Sequence, residues 1–377
     1  MRIAVVCSEA PMPRETFLRR DIATLRSRYD VRVFGLVRRA PDWRLLTLLR
    51  HFPFRAALSL ALRLRTVREI ADFVADDGFI LAHFAWTTAD VAAAAARLSG
   101  RPWFCFVHAW DVFTRPAQEL HRRTASATRL VACSQAAADA CVAAGVDRNR
   151  IAVIHHGVFP VESQKSKVES LPPSTLQPST SRPTATRPLA VIAVGRLVEK
   201  KGFDTLVRAW PAVIHAIPDA TLRIVGDGPC AARLRRLADK VGGEKGGIVF
   251  SGALSEAETL CSIASADMLV LPSRRLPDGD RDGIPNVILE AMALGVPVVT
   301  TDAGAAGEVV ADGVSGRLLP SPLEPSALAE AIFQLATDRP LRETLADNGR
   351  AVVRERFAAS AYLEAVTALL EGDEEGG

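Results

Sequence analysis

Two stretches of this chain hold residue types that could act together on one ligand. The first is Gly195-Arg196-Leu197-Val198-Glu199-Lys200-Lys201-Gly202. Its glycines suit a sharp strand-to-helix turn at which a ligand can approach the backbone. Arg196 and Lys201 stand between them with little local acidic compensation beyond Glu199. Cations, free backbone N–H groups and a helix N-terminus together make a site for a phosphate or diphosphate. Taken alone, the same eight residues also read as a solvated basic turn. The second stretch, 278–297, has a glycine turn, then Pro285 near a helix start, then an apolar helix. That order turns the N–H groups of Asn286 and Val287 toward a bound phosphate, with Gly283 in the turn before them. Asp282 precedes the helix and Glu290 lies about one turn inside it. Two carboxylates so spaced can each hold a pair of sugar hydroxyls, one on a donor sugar and one on a ribose. Glu290 by itself also fits a buried, hydrogen-bonded acid. Asp278-Gly279-Asp280 has D-x-D spacing, but Arg274, Arg275 and Arg281 flank it and would compete with a divalent cation, so no metal is expected.

Strand ends supply further polar groups. An apolar run over 102–107 leads into His108-Ala109-Trp110-Asp111, and one over 79–84 ends at His83. Open α/β sheets bind ligands at the carboxyl ends of their strands. His108 is placed there to contact a sugar, and Asp111 to orient it or to accept from an acceptor hydroxyl. A lone histidine at such a position is also compatible with a satisfied structural group. Gly226-Asp227-Gly228-Pro229 and Ser251-Gly252-Ala253-Leu254 follow two strands of the second half, where main-chain groups could read a nucleotide base.

These residues need a scaffold of alternating strands and helices. Strands are expected at 3–7, 31–36, 79–84, 102–107, 130–133 and 151–154, with helical spacing over 15–28, 87–98 and 136–144. The second half repeats the alternation, with strands at 189–194, 221–225, 247–250, 268–271 and 297–300 and a helix over 203–216. The opening strand-loop-helix-strand lacks G-x-G-x-x-G, which argues against a nucleotide in the first half. Residues 163–188 are rich in Ser, Thr, Pro and Gln and cannot bury enough surface to offset ordering. The expected division is 1–160, a linker or insertion at 161–188, and 189–355, with a last helix over 356–371 crossing back onto the first domain.

A length of 377 residues suits two domains, and 49% hydrophobic content suits an ordinary globular core. The net charge of +3 is unevenly spread: residues 1–160 hold 23 Arg, no Lys and 14 Asp or Glu, a balance of 23 − 14 = +9. That excess suits an anionic substrate or surface, and no nucleic-acid motif accompanies it. The leucine-rich, arginine-studded stretch 43–70 reads equally as helices lying on an anionic membrane surface and as domain helices with a solvated basic face. The six cysteines form no C-x-x-C pair or ligand cluster, as expected of reduced thiols. No window is long and apolar enough to span a bilayer, so the expected location is cytoplasmic, with a peripheral place on the inner face of the plasma membrane.

With these residues in hand, the chain resembles the retaining glycosyltransferases of family 4. Gly195-Arg196-Leu197 with Lys201-Gly202 is similar to their G-R-L-x-x-x-K-G motif, and residues 282–290 are similar to their E-x7-E motif. Arg14-Glu15-Thr16-Phe17, His83-Phe84 and His108-Ala109-Trp110-Asp111 look like the branch that builds colanic acid and related surface polysaccharides. The resemblance covers nearly the whole chain except 163–188. It implies an α/β GT-B fold of two Rossmann-like, doubly wound domains facing across a cleft. It also implies transfer of a hexose from a nucleoside diphosphate sugar to a hydroxyl of a lipid-linked or polysaccharide acceptor, with no cofactor. Arg196 and Lys201 would neutralise the diphosphate, Glu290 would hold the ribose, and His108 would face the donor sugar. Gly195, Gly226, Gly252, Leu254, Gly283, Pro285, Asn286 and Val287 would complete the donor site. Arg14, Glu15, Thr16, His83 and Asp111 would lie on the acceptor side. The chain departs from the family at Asp282, where the family usually has Glu. A non-catalytic subunit of a polysaccharide machine, or an epimerase or phosphorylase of the same fold, would share the phosphate motif. A nicotinamide oxidoreductase is disfavoured by the missing glycine fingerprint.

Overall fold

The computed structural model describes residues 1–9, 16–37, 63–158 and 188–372. Two compact units partition the chain, Met1–Gly157 with Ala359–Gly377 and Val158–Ala358. The expected helices within 43–62, the linker at 161–187, and Arg14 and Glu15 lie outside the described residues.

The first unit holds strands β1 (Arg2–Glu9), β2 (Asp30–Val37), β3 (Gly78–His83), β4 (Trp103–Val107), β5 (Arg129–Ala132) and β6 (Ile151–Val153). They form one parallel sheet in the order β2-β1-β3-β4-β5-β6. Alternate residues feed two cores: Ile3, Val5 and Cys7 pack on one face of the sheet, Ala4 and Val6 on the other. Strands covered on both faces read as continuous apolar runs, which is why they were visible in the sequence. Helices α1 (Thr16–Leu25), α2 (Leu64–Val74), α3 (Thr87–Ser99), α4 (Ala109–Phe113), α5 (Ala117–Thr124) and α6 (Gln135–Ala143) connect them. The last helix of the chain, Ala359–Gly372, belongs to this unit. Its Tyr362, Val366 and Leu370 share a core with Leu18, Ile22 and Leu25 of α1. Thr367 hydrogen-bonds Tyr29 at 2.7 Å.

The second unit holds β7 (Ala190–Val194), β8 (Thr221–Val225), β9 (Ile248–Gly252), β10 (Met268–Leu271), β11 (Val298–Thr301) and β12 (Arg317–Leu319). The sheet is parallel, in the order β12-β11-β10-β7-β8-β9. Its helices are α7 (Phe203–Ala216), α8 (Ala231–Lys240), α9 (Glu256–Ala264), α10 (Asn286–Leu294), α11 (Pro325–Thr337) and α12 (Arg339–Arg356), so the closing helix is α13. In α7 the buried residues Phe203, Leu206, Val207, Trp210 and Val213 form one helical stripe. Each buried side chain of this size contributes roughly 1.5–3 kcal/mol. Connection order reverses between β7 and β10, and that switch point opens a crevice at the carboxyl ends of the two strands. Among the described residues no helix is long and apolar enough to cross a membrane.

Candidate functional site

The loops after β7 and β10 meet at this switch point. Gly202 lies at φ 65°, and a Cβ there would fall 1.8 Å from the carbonyl oxygen of Pro272, so only glycine lets the two loops touch. Gly226 (φ 136°) does the same for the loop after β8, where a Cβ would sit 2.0 Å from the Gly195 oxygen. Backbone bonds tie the edge together: Gly195 N–H to Val225 O at 3.0 Å, Leu197 N–H to Asp227 O at 2.9 Å, and Gly226 N–H to Gly252 O at 2.7 Å. Arg274 N–H donates to Lys200 O at 2.7 Å. Gly195, Arg196, Lys201, Gly226, Gly252, Leu254, Asp282, Gly283, Pro285, Asn286 and Val287 therefore share one edge of one sheet.

Their electrostatics divide the cations into two kinds. Arg196 is exposed and its guanidinium forms no ion pair or hydrogen bond among the described residues. Lys201 runs past Gly195 and donates from Nζ to Asp282 Oδ2 at 2.8 Å. Asp282 Oδ2 also accepts from Ser273 Oγ at 2.8 Å, and Lys200 Nζ stands 3.8 Å from Oδ1. Burial pushes the Asp282 carboxyl up, but Lys201, Ser273 and Lys200 outweigh burial and hold it below the usual carboxylate range. Asp282 was expected to grip sugar hydroxyls. Its carboxylate is taken up by the Lys201 amine and the Ser273 hydroxyl. Lys200, to which no role was given, bonds Asp280 at 2.9 Å, and Asp278 accepts the Asp280 backbone N–H at 3.0 Å, so the D-x-D pair is taken up internally. Helix α10 begins after Pro285 with no side-chain cap and no acid in its first turn, leaving its leading N–H dipoles for an anion. Glu290 is buried within α10 and makes interactions inside the fold.

In the first unit, the strand-end histidines gather around Phe17 and Phe84. His156 follows β6 and His108 follows β4. Their rings are parallel within 4° at 5.3 Å between centroids. Phe84, at φ 73°, lies 4.4 Å from the His108 ring, and Phe17 packs against both histidines at 5.2 and 4.4 Å. The His108 ring accepts from the Asp111 backbone N–H, while the Asp111 carboxylate accepts the His108 N–H at 2.9 Å, so the pair caps α4. Nε2 of His108 is buried and has no hydrogen-bond partner among the described residues. Burial, then His156 and His83, drive His108 well below its usual range, so its imidazole is neutral. Asp111 is pushed up to about 7 by burial, partly offset by the His108 N–H. His83, assigned to the acceptor side, is fully buried and stacked on Phe106 at 4.6 Å. Asp111 is likewise enclosed, at 2% exposure, whereas Thr16 opens α1 half-buried.

No motif in the sequence singles out His156, and Asp21 falls within the helical spacing of 15–28. Nδ1 of His156 lies 2.6 Å from Asp21 Oδ2. Burial lowers the His156 imidazolium, but Asp21 and Cys133 more than reverse this and raise it to about 10. Cys133, His108 and His156 bring one ligand atom each within 4.8 Å of one another. The doubled His155-His156 before Gly157 at a strand's carboxyl end was the available signal.

Beside this cluster is a cavity of about 420 Å³ lined by Ser8, Leu36, Arg63, Phe84, Trp86 and Trp110, among others. The Arg115 guanidinium sits 3.8 Å from the Trp86 ring centroid and 3.9 Å from that of Trp110, fixing both indoles. Trp110 stays 42% exposed at the surface.

Comparison with known proteins bears on what these features serve. A family model described as Glycosyltransferase Family 4 matches residues 15–160, and one described as Glycosyl transferases group 1 matches 188–338. The chain is 35% identical over 179 residues to the GDP-mannose-dependent monoacylated alpha-(1-6)-phosphatidylinositol monomannoside mannosyltransferase of Corynebacterium glutamicum, covering 47% of this chain and 46% of that one. It is 34% identical over 197 residues to WcaL of Escherichia coli, named for colanic acid biosynthesis, covering 52% and 45%. The chain thus spans about half the length of these curated relatives. The solved structure of Anabaena HepE in complex with UDP-glucose matches with a TM-score of 0.76 over 99% of this chain and 100% of that one, at 24% identity. The two parallel six-stranded sheets are those of the GT-B fold.

Proposed function

Because the chain belongs to glycosyltransferase family 4, we propose that it moves a hexose, with retention, from a nucleoside diphosphate sugar to a hydroxyl of a lipid-linked or polysaccharide acceptor in cell-surface glycan synthesis. The observation that carries this reading is the switch point of the second unit, where a free Arg196, an anchored Lys201 and the uncapped start of α10 share one sheet edge. Breaking the anomeric C–O bond leaves negative charge on the departing diphosphate. Fixed cations and N–H dipoles stabilise that charge more than they stabilise the intact donor, which lowers the barrier. Asp282 serves by holding Lys201 in place, and Glu290 receives the ribose. By resemblance to the retaining enzymes of this family, the acceptor attacks from the face the diphosphate leaves, and a phosphate oxygen takes its proton.

His108 donates from Nε2–H to a hydroxyl of the transferred sugar. The aromatic cavity bounded by Trp86 and Trp110 takes the acceptor, since indole faces suit the apolar face of a sugar or a lipid chain. A lipid-linked acceptor also accounts for the basic excess of residues 1–160, which suits a peripheral place on an anionic cytoplasmic leaflet. No metal or other cofactor is required by this route. The test is a panel of UDP-, GDP- and dTDP-hexoses. A thermal shift identifies the donor, and mass analysis follows its products with and without extracts of lipid-linked glycans. Appearance of a hexosylated acceptor supports the reading. Isomerised sugar with no acceptor, or sugar phosphate formed with inorganic phosphate, replaces it with an epimerase or a phosphorylase.

A further inference from the structure

We propose that Asp21 and His156 form a buried positioning pair whose fixed charge holds His108 as a neutral Nε2–H donor. Asp21, 1% exposed on α1, and His156, after β6, are 135 residues apart in sequence and share the 2.6 Å bond. The His156 ring lies parallel beneath His108, Phe17 wedges against both, and Phe84 packs against His108. The His108 ring is thereby held in one orientation. Its Nδ1 side faces the Asp111 N–H as acceptor, so the single imidazole proton resides on Nε2, a buried atom with no partner among the described residues. A proton added to His108 would put two imidazoliums in one stack, so the cation below excludes that state.

Other charged or titratable groups face the stack. They are His83 at the end of β3, Asp111 in α4 and Cys133 after β5, while Arg20 from α1 and Tyr362 from α13 act on Asp21. Asp21 is the acid bonded to His156; burial raises its carboxyl above the usual range, and the His156 ring, the Gly157 backbone and Arg20 offset that only in part. The pair therefore does for His108 what an orienting carboxylate does for a catalytic imidazole, but acts through a stacked face. That the acceptor of the Nε2–H bond is a sugar hydroxyl rests on the transferase reading. The pair itself does not.

The experiment uses the full chain labelled with 15N-histidine and follows ring nitrogens by long-range NMR from pH 5 to 10.5. The expected spectrum has His156 protonated until about pH 10 and His108 neutral with Nε2 protonated throughout. In Asp21→Asn, His156 loses its proton below pH 7, and His108, freed of the cation beneath it, takes up a proton at higher pH than in wild type; Asp21→Glu restores both. With the donor found by the panel, Asp21→Asn lowers kcat about tenfold, the size of one lost hydrogen bond, at little change in donor KM. Wild-type His156 neutral at pH 8, or His108 protonated on Nδ1, overturns the proposal. So does an unchanged His108 spectrum in a folded Asp21→Asn chain. The wild-type titration needs no variant to fold and no donor. An expected spectrum in a chain that transfers no sugar faults only the functional reading.

Discussion

Replacing Lys201 by Met removes the amine from Asp282 while keeping a side chain of similar length. Both groups are largely enclosed, with 14% and 12% of their side chains exposed, and lie 2.8 Å apart. Breaking such a pair from one side costs about 3–5 kcal/mol, because the remaining charge stays buried. The Ser273 hydroxyl at 2.8 Å and the Lys200 amine at 3.8 Å keep part of the compensation, so the low end, about 3 kcal/mol, is expected. For a unit of this size that is a fall of roughly 6–12 °C in melting temperature. Asp282→Asn in the same chain removes the stranded charge, so the double variant regains much of the loss. The pH dependence has a definite sign. A carboxyl held below its usual range contributes stability that is present above about pH 4 and lost as pH falls through its folded value. The gap between wild type and Lys201→Met is therefore full at pH 7 and narrows toward pH 3. Calorimetric melting of the four chains across pH measures this. Single effects that add within about 0.5 kcal/mol, or a gap that does not depend on pH, would refute a coupled pair.

Other perturbations separate ligand contact from scaffold. Arg196→Ala removes an exposed group without partners, so melting stays within about 0.5 kcal/mol of wild type. Nucleoside diphosphate affinity, read by calorimetric titration, falls roughly 10- to 100-fold, as for one lost charge-assisted bond; equal affinity removes Arg196 from the site. Gly202→Ala places a methyl against the Pro272 carbonyl at a positive φ, so it costs well over about 1 kcal/mol, and an unchanged melting temperature contradicts the loop contact. Trp110→Ala leaves melting nearly unchanged and raises the acceptor KM, whereas a rise confined to the donor KM assigns the cavity to another ligand.

The regular scaffold was plain in the sequence because both sheets are covered on two faces. Runs such as 190–194 and 268–271 are apolar throughout, and the stripe on 203–216 coincides with α7. Loop glycines marked the carboxyl edge for the same reason: backbone passes there within touching distance. Pairings across long separations left no local trace. Lys201 and Asp282 are 81 residues apart and Asp21 and His156 are 135, and no spacing rule joins them. His83 misled because a polar residue at a strand end resembles a site residue, whereas burial under Phe106 is decided by packing. The short helices α4 and α5 were missed because neither is long enough to show a helical period.

The central claim is that the β7–β10 switch point grips a diphosphate so that it can leave its sugar. The direct measurement is calorimetric titration of the wild-type chain with UDP and GDP against uridine and guanosine, repeated in Arg196→Ala. One diphosphate is expected to bind at least roughly 100-fold tighter than its nucleoside, with most of that advantage lost in the variant. Nucleoside and diphosphate binding alike, or an advantage untouched by Arg196→Ala, would contradict it.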